Sequence, residues 1–307
     1  MPLLDVILES ILLIFHIFQF YLISISKYIL PYSLLPKKDL NGQKVLITGA
    51  GSGLGRAMAL KFAARGATLV LWDVNLEAVD ELSGEIRRQF GEAYSYKVDL
   101  RDSKWISTAA QQVMNDVGKI DILVNNAGVA TAKMILESSE NDIELSFAVN
   151  VKSHFYTVQQ FLPAMLDANH GHIVSIASVA GKMGSSGLAD YTSTKHAVVG
   201  FHDSLVAEIL ASGKEGVKTT LVCPFYVHTQ MFDATGAVNR FHPIFPILDA
   251  EYVVRKIVEA VVIEQEYLVT PKAFYWLILG GQILPYKAQK VITEYFGLTQ
   301  SLDRFHK

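Results

Sequence analysis

The chain has 307 residues, half of them hydrophobic, with 27 Lys and Arg against 30 Asp and Glu and a formal net charge of −3. That is enough apolar material for one large core or two small ones, and the lack of a dense basic stripe excludes nucleic acid as a partner. The single cysteine, Cys223, excludes an intrachain disulfide framework and fits a folded region on the reducing, cytosolic side of a membrane. Its apolar neighbours mark it as a small buried side chain.

From Ser10 to Ser26 the chain reads SILLIFHIFQFYLISIS, uncharged between Glu9 and Lys27 and close to the minimum length that crosses a hydrocarbon core. Residues 1–36 are therefore predicted to form a membrane anchor. It is expected to be retained, because Asp5 and Glu9 stand where a secretory signal carries basic residues and no small-x-small cleavage pattern follows. On a helical wheel Asp5, Glu9, His16, Gln19, Ser26 and Lys27 share about one third of the circumference. A helix lying in the interface fits this stripe as well as a spanning one, and a buried core helix is a third option. Tyr28, Tyr32, Lys37 and Lys38 follow as an aromatic and basic border, which places the remaining chain in the cytosol.

From Gln43 short apolar runs alternate with stretches of helical period. Lys44–Thr48, Ala67–Asp73, Tyr94–Leu100, Ile120–Gly128, Gly171–Ser178 and Lys218–Pro224 read as strands, and Arg56–Arg65 and Leu76–Phe90 as helices. Near-continuous apolar strands separated by helices predict an α/β fold, a doubly wound parallel sheet of the Rossmann type, with ligands bound at the carboxyl ends of the strands. Residues 37–269 are taken as a single catalytic domain and residues 270–307 as an apolar, membrane-proximal tail.

The first strand runs into TGAGSGLG, with Gly49, Gly53 and Gly55 where strand turns into helix. A pyrophosphate can approach a helix N-terminus at such a turn. Asp73 closes the second strand about twenty residues on, where a carboxylate accepts from a ribose 2′-hydroxyl and repels a 2′-phosphate. Val74 and Asn75 supply no cation, so NAD is preferred as cofactor over NADP. Arg56 is the one residue that could weaken the preference. The histidines suggest no metal site: His170 and His172 flank a strand start, His196 and His202 are out of helical phase, and no acid or cysteine completes a ligand set.

After the sixth strand, QMFDATGAVNRFHPIFPILDAEY is rich in aromatics and prolines, which suits a mobile loop closing an apolar pocket over a lipophilic alcohol or carbonyl. Ala273–Pro285, AFYWLILGGQILP, is too short to span a membrane. It could lie against one, seal the substrate entrance or pack on the core.

The order and spacing of TGAGSGLG, NNAG (Asn125–Gly128), Asn150, Ser178 and YTSTK (Tyr191–Lys195) resemble the short-chain dehydrogenase/reductase family, over nearly all of Gly42 to Val269. Within it, LVLWD, LPAM, GLADY, VCPF and PILDAEYVVRKIVEA make the chain most similar to membrane-associated retinol dehydrogenases of the epidermal type, with 17β-hydroxysteroid dehydrogenases of lipid droplets as neighbours. The resemblance implies an oxidoreductase passing a hydride between NAD(H) and a lipophilic small molecule, all-trans-retinol or retinaldehyde, at the endoplasmic reticulum membrane or a lipid droplet. A 17β-hydroxysteroid or other lipid ketone is the second reading, and a lipid-surface interaction protein that keeps the cofactor fold is a third, of a different class. A homodimer is compatible with all three.

Tyr191 and Lys195 lie one turn apart, a spacing that any helical face produces; the resemblance makes Tyr191 the proton-transferring phenol. Lys195, with the positive nicotinamide, is expected to lower its pKa from near 10 and, by resemblance, to bond the cofactor ribose. Ser178 would bond the substrate oxygen, and Asn150 would hold a helix and a water. The same resemblance puts Gly49, Ser52, Gly53, Leu54 and Gly55 around the cofactor, with Asp99 and Leu100 at the adenine. Asn125 and Gly128 would stabilise the central strand and admit the ribose, beside Asn126 and Ala127. Pro224 and Thr229 complete the set, Thr229 at the carboxamide. Phe225 stands where the family commonly has glycine, which puts that loop's conformation in doubt.

Overall fold

The computed structural model describes residues 3–229 and 246–295. A 27-residue helix, α1 (Leu3–Ile29), begins it, about 40 Å long at 1.5 Å per residue. Asp5–Lys27 is long and apolar enough to cross a membrane, and its apolar window is not buried inside the protein, so α1 is not a core helix.

A short strap joins α1 to the first strand. The Lys27 ammonium donates to the Glu264 carbonyl at 2.7 Å, and the Lys38 N–H to the Val262 carbonyl at 2.9 Å. Lys38 does not belong to the expected basic border: its Nζ is drawn inside and donates to Nδ1 of buried His172 at 2.7 Å. Burial lowers the Lys38 pKa to about 8. Because His172 Nδ1 accepts, its proton sits on Nε2 and reaches Thr220 Oγ1 at 2.8 Å, and Thr220 in turn donates to the Gln265 carbonyl. Lys37 stays outside, over the Tyr32 ring.

Seven parallel strands form the sheet: β1 (Lys44–Thr48), β2 (Thr68–Asp73), β3 (Ala93–Lys97), β4 (Ile122–Asn125), β5 (Gly171–Ile176), β6 (Val217–Pro224) and β7 (Tyr267–Thr270), in the order β3-β2-β1-β4-β5-β6-β7. Helices α2 (Gly53–Ala63), α3 (Leu76–Gln89), α4 (Ser103–Asp116), α5 (Glu140–Phe147), α6 (Ser153–Ala168), α7 (Ala189–Ala211) and α8 (Ala250–Val262) cover it. The period-2 alternation of strand side chains divides the core. Val45, Ile47, Leu69 and Leu71 join Met58, Phe62 and Ile257 on one side; Leu46, Val70 and Trp72 join Ile106, Phe161 and Leu205 on the other. Caps fix helix starts where strands end: Asn75 accepts from Ala78 N–H, Asp102 from Lys104 N–H and Asp249 from Tyr252 N–H, and Ser139 with Asp142 closes a capping box on α5.

Most element boundaries differ from the sequence reading; β5 stops at Ile176, leaving Ser178 beyond the strand. β3 stops at Lys97, leaving Asp99 and Leu100 in a loop, and β4 stops at Asn125, leaving Asn126 to Gly128 beyond the carboxyl end of the strand. The seventh strand, β7, was not foreseen: it has four residues and follows three polar ones, and it ends one residue past the boundary drawn at 269. Beyond it, α9 (Ala273–Ile283) and α10 (Tyr286–Tyr295) complete the described chain.

His154, His172 and His202 are buried. Burial lowers His154 to about 3 and His202 to about 4, and puts His172 well below its ordinary 6.5. A folded-state pKa below the unfolded one means that the unfolded chain protonates first, so the stability from these neutral rings is complete above pH 6.5 and is lost as pH falls towards 4. Urea titrations should show the midpoint dropping through that window, each ring contributing up to about 1.4 kcal/mol per pH unit. His202→Gln should flatten the slope; a variant with the wild-type slope would refute the assignment.

Candidate active site

Residues from the carboxyl ends of β1, β2, β4, β5 and β6 line a cavity of about 560 Å³, astride the point between β1 and β4 where the strand order reverses. That is where open α/β sheets bind ligands. Of the expected residues, Gly49, Ser52, Gly53, Leu54 and Asp73 line its first part, Asp99, Leu100, Asn126, Ala127 and Gly128 the next, and Ser178, Tyr191, Lys195, Pro224 and Thr229 the remainder.

The glycine turn admits no side chains at two positions. A Cβ on Gly55 would stand 2.0 Å from the Gly49 carbonyl oxygen, and one on Gly49, whose φ is +64°, would stand 2.8 Å from Ala127 Cα. Gly55 therefore packs behind the turn and does not line the cavity. At the start of α2 the Ser52 side chain makes no capping bond, which leaves the first-turn N–H groups for an anion. Thr229 faces this turn, its Cγ2 3.8 Å from where a Gly53 Cβ would lie. Such a cradle fits a dinucleotide pyrophosphate.

Asp73 is held by backbone. Its Oδ2 accepts from Gly51 N–H and its Oδ1 from Asn75 N–H, both at 2.9 Å. A Cβ on Gly51 would stand 3.0 Å from Asp73 Oδ2; this tight fit escaped the sequence reading, because the carboxylate is 22 residues away. Arg56 does not reach the carboxylate: its Nη2 is 2.7 Å from Glu85 Oε2 and 3.7 Å from Glu81, so α3 engages the cation that could have favoured a 2′-phosphate. Asp99 is forked by Arg101, whose hydrogen bonds hold its carboxyl below the usual range.

Adjacent asparagines divide the work at the end of β4. Asn126 Nδ2 donates to the Thr48 and Gly49 carbonyls at 2.9 and 3.2 Å, and the N–H groups of Asn126 and Ala127 both donate to Thr48 Oγ1. Asn125 does not line the cavity; its Oδ1 accepts from Thr157 Oγ1 at 2.8 Å and so ties β4 to α6.

Asn150 sits on a π-helical turn (Ala148–Lys152) between α5 and α6, a widened turn that recurs at functional sites. Fully buried, it does not line the cavity. Its Oδ1 accepts from Val129 N–H at 2.8 Å, while its Nδ2 donates to the Val129 carbonyl and to Thr194 Oγ1 at 2.9 and 3.0 Å. A Cβ on Gly128 would lie 3.5 Å from Asn150 Oδ1 and 3.6 Å from Lys195 Nζ, so both groups border the Gly128 bend.

Lys195 Nζ donates to the Ile176 carbonyl at 2.9 Å and lies 5.5 Å from the centre of the Tyr191 ring. Burial lowers its pKa to about 8. Burial raises the Tyr191 phenol above the usual tyrosine range, and a hydrogen bond with Ser178 only partly offsets this; the lowering expected from sequence depends on the positive nicotinamide as well as on Lys195. Taking a phenol and an ammonium out of water disfavours the charged form of each, so the chain's own groups favour protonated Tyr191. Ser178 Oγ accepts from Ala180 N–H at 3.1 Å; its one proton lies between Tyr191 and a long 3.4 Å contact to the Pro224 carbonyl.

Phe225, in place of the family's glycine, is accommodated because its backbone is not left-handed. Its N–H continues the ladder to the Thr270 carbonyl at 2.8 Å, and its ring stacks on Phe274 with centroids 4.2 Å apart. Leu145, Val149, Met183, Leu188 and Tyr226 give the cavity an apolar side. Of the expected substrate loop, residues 230–245 lie outside the described residues.

The short chain dehydrogenase family model matches residues 43–239. Epidermal retinol dehydrogenase 2 of Mus musculus is 45% identical over 272 residues, which is 88% of this chain and 87% of that protein. A short chain dehydrogenase/reductase from Burkholderia phymatum, solved in complex with NAD, superposes with a TM-score of 0.71 at 30% identity, over 79% of this chain and 93% of that one. A metagenomic short-chain oxidoreductase in complex with NADP gives 0.62 at 28%, over 76% and 97%. A nicotinamide cofactor is common to the two solved structures, and the dinucleotide cradle ending at a buried phenol and amine is the matching half of that chemistry: the chain belongs to the short-chain dehydrogenase/reductase family and is an oxidoreductase acting on CH–OH groups.

Proposed function

We propose that this enzyme is membrane-associated and interconverts all-trans-retinol and retinaldehyde with NAD(H). The observation that carries the reading is the meeting of Ser178, Tyr191 and Lys195 on the wall of an apolar cavity that also contains the glycine turn and Asp73. The retinoid is taken from the relative's name, and the apolar lining agrees with it. We assign the anchor to residues 1–36, the catalytic domain to 37–269 and a membrane-proximal segment to 270–307, at the endoplasmic reticulum membrane or a lipid droplet.

The glycine turn and the first turn of α2 would hold the pyrophosphate, and Asp73 the adenosine ribose hydroxyls. When bound, the cofactor supplies the hydride acceptor for oxidation and the donor for reduction. Ser178 Oγ orients the substrate oxygen, and Tyr191 Oη takes the hydroxyl proton in oxidation and returns it in reduction. Lys195 provides the positive charge that makes the phenolate accessible, and Asn150, clamped on Val129 and Thr194, keeps the lysine's surroundings fixed. Burial favours the protonated phenol, so forming the phenolate that oxidation uses depends on positive charge beside it.

Incubating vesicles that contain the protein with retinol and NAD should produce NADH. Turnover of estradiol but not retinol would transfer the assignment to 17β-hydroxysteroids. Tyr191→Phe should lower kcat by about 10²–10⁴-fold with cofactor affinity retained, and turnover at the wild-type rate would sink the proton-transfer role. Asp73→Ala removes the acceptor and the repulsion, so the NADP/NAD ratio of kcat/KM should rise by about tenfold or more; an unchanged ratio would show that Asp73 does not set the preference.

A further inference from the structure

Helix α9, AFYWLILGGQI, contains no charged residue. Its inner side is packed: Phe274 is fully buried against Phe225, and Leu277 and Ile278 rest on the core. Large apolar side chains also stand outward. Trp276 is 70% exposed, Leu279 45% and Ile283 80%, and these positions recur at the three- and four-residue spacing that lines one helical face. A helix on the surface of a water-soluble domain carries polar residues outward, whereas one that is apolar all round belongs in a core or in lipid.

Eleven residues make α9 about 16 Å long, half of what a hydrocarbon core requires, so lipid contact must be lateral. The next helix has the corresponding composition. Tyr286, Val291 and Tyr295 of α10 are exposed, with Lys290 over the Tyr286 ring; tyrosines and lysines with apolar stems favour the membrane–water interface. The occupant is indicated by position: Lys27 and Leu30, at the end of α1, line the same small groove as Lys272, one residue before α9 begins. A lipid surface entered by α1 therefore lies beside α9.

We propose that the outer face of α9, continued by α10, docks on the lipid surface that α1 enters and forms a second membrane contact. This rests on the membrane reading of α1. It also gives the active site a lipid-facing wall, since the Phe274 ring that anchors α9 stacks on Phe225, which lines the cavity.

The test uses the full chain carrying Trp105→Phe, so that Trp276 is the exposed indole while Trp72 stays buried, mixed with phosphatidylcholine vesicles whose acyl chains are brominated. The protein should float with the vesicles and Trp276 emission should be quenched. Adding Leu279→Glu and Ile283→Glu should abolish quenching while flotation through α1 persists. Flotation with Trp276 unquenched by bromolipid but quenched by aqueous acrylamide would overturn the docking of α9 and leave the α1 anchor standing. Shielding from both quenchers together with a doubled mass would overturn it in favour of a second copy of the chain. Failure to float would remove both readings.

Discussion

The hydroxyl of Thr48 sets the geometry on which the site depends. It receives the N–H groups of Asn126 and Ala127 just where β1 and β4 part, and Asn126 returns a bond to each of the Thr48 and Gly49 carbonyls. A parallel sheet leaves the last peptide groups of each strand without ladder partners, and buried backbone groups must find others. Here the partners are found across the switch point, so the ends of the two strands are fastened to each other while the chain beyond them diverges. The glycine turn goes one way into α2 and the Gly128 bend the other, and the cavity is the space between them.

The ionisable groups on the far wall obey a second constraint. Tyr191 and Lys195 are both almost fully enclosed, so burial opposes ionisation of each: the phenol moves up and the amine down. The groups around them mostly position rather than neutralise. Ile176 supplies a carbonyl to the lysine, and Asn150 uses its amide to clamp the Val129 backbone. A reaction that shifts charge at this point meets a low-dielectric setting in which one added or removed proton has a large effect.

Much of this was legible in the chain. Glycine turns, an acid at a strand end and a Tyr/Lys pair one turn apart are local patterns; spacing suggested the cofactor turn and its acid, while the chemistry of the Tyr/Lys pair came from the family resemblance. What the sequence concealed was contact between distant segments. Lys38 looked like a border cation because charge and neighbours are visible while a histidine 134 residues away is not. Gly51 carried no signal until Asp73 was seen against it. The two asparagines of NNAG are indistinguishable by type, and only the end of β4, which keeps Asn125 in the strand and leaves Asn126 beyond it, separates the one that ties α6 from the one that ties β1. The strand β7 has four residues, too few to display a period.

The strap from α1 to β1 also has a place in time. Chains emerge at roughly 5–20 residues per second, so Lys38 exists for several seconds before His172 is made and longer still before Val262 supplies its carbonyl. β1, β2 and β3 can pair from the first hundred residues, but the strap cannot close until β5 and α8 are in place. It is therefore a latch fastened late, once the chain of every strand but β7 has been made. While the first strands assemble, the helix at the head of the chain is free to find its own surroundings, and the two are joined only when β5 and α8 have been made.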